Sequence, residues 1–504
     1  MDGLTLLGSA LVSASTPTMI FTTAWATLLG IFIGMLPGLT ATMGIALLTT
    51  LTFHMDGDQA IVVLLCMYVG AIFGGSRSAI LLNMPGTPAS AATTLDGFPL
   101  ARANRAREAL GLATLGSFLG TLVGVAVLAI FAPILADYAL QFGSFEFFWL
   151  AVFGIVISGR LTAFDDPLKG WIAGILGLLF AMIGQESVHA YPRFSFGITD
   201  LTGGINLIPA MVGAFGFAEI LTVMANRKSL PVAKATGRIL PPFSQLKKYW
   251  LTVPRSGLVG TMIGIIPGVG EDIGAWVSYA WAKRASKEKE LYGKGSQEGL
   301  LSAETGNSAA VPGAIIPVLT LAIPGSAPAA VLLAAMVIHG VRPGPLIMIE
   351  NPTFVYQVVA ALLYASLAIT IFGLLLTGPM LRILQVPRER LTPVIFVLCT
   401  VGSFAIAGRP FDILVMVFFG LIGFILRHLK YPMAPIVLGL VLGTLLDKSM
   451  RRGLVLSDGS LEPFLTRPIS AVLMGLTVIS ILLGIPVIRR LIGMDAKNDP
   501  GNKV

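Results

Sequence analysis

The residues best placed to do chemistry in this 504-residue chain flank four Pro-Gly pairs, each set inside apolar sequence. The first two are Pro37-Gly38, in Gly30-Ile31-Phe32-Ile33-Gly34-Met35-Leu36-Pro37-Gly38, and Pro85-Gly86, in Asn83-Met84-Pro85-Gly86-Thr87-Pro88. The others are Pro267-Gly268, in Gly260-Thr261-Met262-Ile263-Gly264-Ile265-Ile266-Pro267-Gly268, and Pro324-Gly325, in Ile323-Pro324-Gly325-Ser326-Ala327-Pro328. A proline ends the helical hydrogen-bond ladder, and a neighbouring glycine lets the chain turn without a Cβ clash. The helix that begins beyond such a break presents unpaired N–H groups and the positive end of its dipole. Small polar residues follow each break: Thr40 and Thr42, Thr87 and Ser90, Ser326, and the acidic pair Glu271 and Asp272. Facing half-helix N-termini with Ser and Thr hydroxyls suit a carboxylate-bearing solute. Unpaired carbonyls at the ends of the preceding half-helices suit Na⁺ or a protonated water. The competing reading is structural: Gly-xxx-Gly in an apolar run packs helices together, and a lone Pro-Gly bends a helix or turns a loop.

Ionisable residues in apolar stretches come next, since each costs about 2.5–3.5 kcal/mol at a bilayer centre. Arg77, in Gly74-Gly75-Ser76-Arg77-Ser78, stands just upstream of Asn83 and the second break. It is read either as the partner of an anionic solute or as a structural ion pair or end-of-helix snorkel. The four Pro-Gly pairs with Thr40, Ser76, Arg77, Asn83, Thr87 and Ser326 make up the solute-binding candidates. Glu304, in Glu304-Thr305-Gly306-Asn307-Ser308, precedes the fourth break. It either carries a coupling proton or cation, with Asn307 and Ser308 beside it, or is structural. Glu271 and Asp272 are the further ion-coupling candidates, with Na⁺ the one metal ion in view.

Enzymatic chemistry finds little support. His54, His189, His339 and His428 lie far apart and form no His-Glu-x-x-His zinc motif. Gly268-Val269-Gly270-Glu271-Asp272 is only faintly similar to phosphate loops or intramembrane aspartyl protease motifs, and lacks the Lys-Ser/Thr of a P-loop. With no ATP-binding signature, no cofactor is expected, and the energy must come from an ion gradient or another chain.

The elements that hold these residues are helices in a bilayer. The chain is 55% hydrophobic and 12% charged, about half the charge of a soluble domain. Apolar runs such as Leu110–Pro133, Phe145–Ile157, Trp171–Ile183, Phe354–Leu376 and Ile469–Ile488 recur. At about 20 apolar residues per crossing they predict about 12 transmembrane segments in an all-α polytopic membrane protein. The net charge of +8 sits in short clusters between apolar runs, the positive-inside pattern rather than a nucleic-acid surface. Cys66 and Cys399 both lie in apolar runs and predict neither a disulfide framework nor a Cys-based metal site. No cleavable signal is expected, because Asp2 is the only early charge.

The chain also repeats itself. Placing Gly30–Gly38 over Gly260–Gly268 matches Gly, Gly, Pro and Gly at one offset of 230 (Gly30 to Gly260), and Gly74–Gly86 falls over Gly313–Gly325. Broken helices at corresponding places in two halves point to a transporter binding site. Loop charges then set the orientation. His54–Asp58 carries no Lys or Arg, whereas the matching loop carries Lys283, Arg284, Lys287, Lys289 and Lys294. After the second break the bias reverses, with Arg102, Arg105 and Arg107 against Arg342 alone. Equivalent loops on opposite sides predict two inverted repeats with re-entrant or discontinuous helices. Lys448, Arg451 and Arg452 are exceptions, falling outside. The Gly257–Trp281 segment reads either as re-entrant or as one kinked span. The expected organisation is repeat one at 1–228, a cytoplasmic or interfacial connector at 229–255 and repeat two at 256–467. A C-terminal transmembrane helix at 468–490 and a disordered tail at 491–504 complete it.

Several blocks together resemble the TctA permeases, the large membrane subunits of tripartite tricarboxylate transporters. They include Gly34-Met35-Leu36-Pro37-Gly38, Gly74 through Gly86, Thr94-Leu95-Asp96-Gly97-Phe98-Pro99, Arg193-Phe194-Ser195-Phe196-Gly197, Pro317 through Ser326 and His339-Gly340-Val341-Arg342-Pro343-Gly344-Pro345. The resemblance implies secondary active uptake of an organic carboxylate across a bacterial inner membrane, driven by Na⁺ or H⁺. It also implies a small membrane subunit and a periplasmic solute-binding protein as partners. The chain departs from the family pattern at Glu304-Thr305-Gly306-Asn307-Ser308-Ala309, where one amide becomes a hydroxyl. It departs again at Val269-Gly270-Glu271-Asp272-Ile273-Gly274, where two acids enter. A passive channel, or another membrane subunit without ion coupling, is the alternative.

Overall fold

The computed structural model describes residues 3–36, 39–163, 166–186, 190–225, 247–379, 384 and 388–485. The candidates Pro37 and Gly38, residues 229–246 of the expected connector and the expected tail lie outside the described residues. The chain is overwhelmingly helical. Its helices are α1 (Gly3–Ala14), α2 (Pro17–Met35), α3 (Ala41–Leu51), α4 (Gly57–Leu82), α5 (Ala91–Leu100), α6 (Ala106–Ala139), α7 (Ser144–Thr162) and α8 (Pro167–Ala181). After α9 (Leu207–Ala225) come α10 (Thr252–Ile265), α11 (Gly270–Ala285), α12 (Gln297–Leu321), α13 (Ala327–Ile338) and α14 (Pro352–Leu375). The last are α15 (Arg388–Ala405), α16 (Pro410–His428), α17 (Met433–Leu456) and α18 (Pro468–Leu482).

Among the described residues, eight helices are long and apolar enough to cross a membrane: α2, α4, the continuous Pro88–Ala139 stretch, α7, α9, α14, α16 and α17. The sequence led to an expectation of about 12 by length alone. The difference arises where breaks cut apolar runs into short helices, α3 and α13 among them, and in α12, whose first half is polar. Outward-facing Phe21, Ile130, Leu375, Leu414 and Val472 are exposed, as lipid-facing positions require.

The chain divides into two compact units, Met1–Leu140 with Asn206–Ile425, and Gln141–Ile205 with Leu426–Val504. In the second unit α17 packs on α7 and α8, and α18 on α7. A short antiparallel pair joins Gly184–Gln185 to Pro192–Arg193. Arg193 is bidentate to Asp447, at 3.0 and 2.9 Å, and Arg451 pairs with both Asp447 and Glu186. Arg451, one of the exceptions to the loop-charge pattern, therefore sits in an ion-pair network. In the first unit, residues 247–251 of the connector come down on the loop after α11, where Lys248 Nζ donates to Glu288 at 2.6 Å. That bond holds the Glu288 carboxyl below its ordinary range.

Two helical hairpins in the first unit are built alike: α2 lies along α4, and α10 along α12. Glycine permits the approach. A Cβ on Gly30 or Gly34 would strike the backbone at Met67 or Ala71, and one on Gly260 or Gly264 would strike Gly306 or Ala310. These contacts correspond under one offset of 230 for the first helix of each hairpin (Gly34 to Gly264) and 239 for the second (Ala71 to Ala310). The helix ends correspond too. After α2, Leu36 turns extended (φ −80°, ψ 111°), and after α10 so does Ile266 (φ −70°, ψ 122°). Each precedes a proline, which disfavours the helical region. Asn83 after α4 (φ 56°, ψ 30°) and Ala322 after α12 (φ 54°, ψ 34°) are both left-handed. Alanine pays about 1–2 kcal/mol for that conformation. Bonds of 3.2 Å from Ala322 N to Val318 O and from Ile323 N to Pro317 O hold it in place.

The hairpins thus depend on backbone contact that a side chain would prevent. Gly34→Val and Gly264→Val are each expected to destabilise the protein by about 1–3 kcal/mol, the usual cost of overpacking. Thermal melts of the detergent-purified protein check this. An unchanged midpoint for both would show that the helices are not in contact there.

Candidate functional site

The three described Pro-Gly breaks lie next to two buried polar clusters, both in the first unit. In the first cluster Glu304, fully buried on α12, accepts from Ser76 Oγ at 2.7 Å and Ser117 Oγ at 3.0 Å through Oε2, and from Thr93 through Oε1. Ser76 comes from α4, Thr93 from α5 and Ser117 from α6, so one carboxylate joins four helices. Arg77, next to Ser76, is also fully buried. Its Nη1 donates to the Leu110 carbonyl and its Nη2 to Thr114 Oγ1, both at 2.7 Å. The guanidinium lies 4.0 Å from the centre of the Phe73 ring. Two of its three nitrogens are therefore committed to α6 and Nε has no partner, while its charge acts on Glu304. Under the 239 offset Arg77 stands opposite Ile316 and Glu304 opposite Leu65. This cluster is not duplicated; it forms once, between the halves.

The second cluster is at the third and fourth breaks. Gly268 N donates to the Pro324 carbonyl at 3.3 Å, so these two breaks touch. Gly268 (φ 74°) and Gly270 (φ 56°) take left-handed conformations there, which suit glycine. Glu271, buried at the start of α11, accepts from Tyr68 Oη at 2.8 Å. Ser326 Oγ lies 2.8 Å from the same Tyr68 hydroxyl and accepts from Ala329 N at 3.2 Å, capping α13. With Tyr68 donating to the carboxylate, Ser326 donates to Tyr68. The hydroxyls form a directed chain from the cap of α13 to Glu271. Asp272 follows it, half-buried. At the second break, Gly86 N donates to Gly75 O at 3.3 Å, and a Cβ on Gly86 would strike Gly34 and Gly75. Thr40 caps α3, accepting from Met43 N at 3.2 Å. Thr87 caps the turn Pro88–Ser90 together with Ser90.

The structure thus joins Ser76 to Glu304, Ser326 to Glu271, and Gly268 to Pro324. The two clusters stay apart: Tyr68 and Ser76 are eight residues along α4, about 12 Å at helical rise. Asn307 is fully buried with neither amide atom partnered, and Ser308 is buried beside it. Sequence reasoning missed Tyr68, Thr93, Thr114 and Ser117. Only Tyr68 had a signal: it falls on Asn307 in the repeat register. The Thr94–Pro99 block gains a structural role. Asp96 Oδ1 accepts from Gly293, Gly295 and Ser296 N at 2.7–2.9 Å, and Oδ2 from Tyr279 Oη at 2.8 Å, pinning the start of α12. Among the described residues no group of three His, Cys, Asp or Glu is arranged to hold a metal ion. A separate cavity of about 220 Å³ lies between α1, α2, the start of α4 and α14, lined by Asp56, Asp58, Gln59 and Gln357.

Removing Glu304 would leave three buried hydroxyls without their acceptor and Arg77 without its compensating charge. Glu304→Ala is expected to cost about 3–5 kcal/mol of stability, and Glu304→Gln, which keeps shape and an acceptor, clearly less. Denaturation of the purified variants measures both; equal and negligible costs would dissolve the network as a structural element.

Comparison with known proteins agrees with this architecture. Residues 20–438 match the tripartite tricarboxylate transporter TctA family. The chain is 35% identical over 491 residues to an uncharacterized 52.8 kDa protein in the TAR-I ttuC' 3' region of Agrobacterium vitis, covering 97% of this chain and 98% of that protein. It is 33% identical over 231 residues to an uncharacterized protein in the TAR-II ttuC' 3' region of the same organism, covering 46% of this chain and 96% of that protein. No solved structure matches. With its apolar helices and duplicated breaks, this multi-pass membrane protein belongs to the tripartite tricarboxylate transporter TctA family.

Proposed function

We propose that the chain is the large permease subunit of a binding-protein-dependent tripartite transporter, driving uptake of an organic tri- or dicarboxylate across the bacterial inner membrane by Na⁺ or H⁺ symport. The observation that carries this reading is the pair of equivalent broken hairpins, with the third and fourth breaks meeting beside a buried hydroxyl and carboxylate and the second lying near the Ser76–Glu304 bond. Broken backbone survives in a bilayer only where protein, water or a ligand satisfies it. Family membership supports a transporter component. Under this proposal a small membrane subunit and a periplasmic solute-binding protein complete the assembly.

The two halves are read as inverted repeats, the shorter apolar helices bringing the crossings to about 12. Glu304, Glu271 and Asp272 are the candidates that hold the coupling ion. A carboxylate deep in the protein changes its neighbours' electrostatics when a proton or Na⁺ arrives, which links ion binding to solute binding.

Two experiments test the proposal. Proteoliposomes holding the chain with its partners are expected to import labelled citrate or succinate only under a Na⁺ or proton gradient. Gradient-independent flux that survives replacement of Pro85-Gly86 and Pro324-Gly325 by Ala-Ala would make it a channel. For orientation, cysteines replacing His54 and Lys289 are expected to react with a membrane-impermeant reagent from opposite sides. Labelling from one side would remove the inverted arrangement.

A further inference from the structure

Asn307 is a buried polar side chain with neither amide atom satisfied among the described residues. Its side chain is fully buried on α12, and neither its Oδ1 nor its Nδ2 has a partner. A buried amide left unpaired is costly and calls for an occupant. The repeat register indicates what Asn307 faces. Its equivalent is Tyr68, which reaches from α4 to Ser326, the cap beyond the fourth break, and to Glu271. Under the same offsets Ser326 corresponds to Thr87, and Glu271 and Asp272 correspond to Ala41 and Thr42. By this register the counterpart of the Tyr68–Ser326 pair is Asn307 with Thr87, beyond the second break, and the Pro88–Ser90 turn that Thr87 caps packs against α12.

The two equivalent places have opposite chemistry. Beyond the third and fourth breaks, the Tyr68 hydroxyl is engaged by Glu271 and Ser326, and two acids, Glu271 and Asp272, stand with no cation bonded to Glu271 among the described residues. An anion there would meet like charge wherever either acid is ionised, in a weakly screening interior. Beyond the first and second breaks, both acids are replaced by Ala41 and Thr42, and the tyrosine by a smaller amide with two free N–H donors.

We propose that the repeats have divided their roles: the solute's carboxylate docks beyond the second break, on the Asn307 amide and Thr87, and the acidic second-half breaks do not receive it. This assigns Asn307 to the solute rather than to the coupling ion. It rests on the carboxylate-transport reading above.

The test is equilibrium binding of radiolabelled citrate and succinate to the purified full-length chain in nanodiscs. Asn307→Ala is expected to weaken binding about tenfold or more, the loss of roughly one charge-assisted hydrogen bond, and by more than Ser326→Ala does. Asn307→Asp, nearly isosteric but negative, is expected to weaken it further. As a readout independent of variant stability, Asn307→Cys is expected to be shielded by citrate from N-ethylmaleimide more strongly than Ser326→Cys. Equal or greater loss at Ser326, or shielding there and not at position 307, overturns the division of roles and leaves carboxylate transport standing. If the native protein binds neither probe, the transport reading falls and this assignment with it.

Discussion

Unsatisfied backbone in an apolar surrounding is the constraint on which the rest of this structure depends. A proline after Leu36 or Ile266 stops a helix inside the protein and strands polar groups that lipid cannot serve. The chain answers at the described breaks: Gly268 N at the third meets Pro324 O at the fourth, and Gly86 N at the second meets Gly75 O inside α4. Both meetings need helices that approach to backbone contact, which is why Gly34 and Gly264 stand where any side chain would collide. Sequence thereby fixes packing, and packing fixes where irregular backbone gathers.

On that duplicated frame the chemistry is not duplicated. α4 lends one hydroxyl to each of two carboxylates from the other half, Ser76 to Glu304 and Tyr68 to Glu271. Arg77 and Glu304 have Ile316 and Leu65 as their repeat equivalents, and Glu271 has Ala41. These three buried ionisable residues thus occur on one side of the internal repeat only. Identical half-sites would hold identical ligands; divergent ones can separate an anion from the ion that drives it. The proposed symport uses this asymmetry.

Much of this was legible in the sequence because it depends on rules with a long reach. Apolar runs specify spanning helices, Pro-Gly pairs at their ends mark breaks (Pro312-Gly313, inside α12, does not), and offsets of 230 (Gly34 to Gly264) and 239 (Ala71 to Ala310) specify which breaks correspond. Glu304 and Ser76 stood out as polar residues in apolar surroundings. Thr93, Thr114 and Ser117 did not, because a hydroxyl in a helix ordinarily bonds its own preceding turn, and Thr114 does so as well, to Leu110 O. Only the folded chain shows that Glu304 and Arg77 call on them too. Arg77 illustrates the same limit: its position was evident, but its attachment to a carbonyl of α6 could not be read from spacing. Among the described residues eight helices are long and apolar enough to span, against about 12 expected segments, because apolar runs continue across breaks that the fold uses as ends.

The most direct test of the central claim, that the paired breaks enclose an anionic solute, is an electron cryomicroscopy structure of the full-length protein in a bilayer at saturating citrate. The expected result is ligand density within hydrogen-bonding distance of Asn307 and Thr87, beyond the second break. Density confined to another place, such as the cavity lined by Asp56, Asp58 and Gln357, with Asn307 still unpartnered, would contradict it.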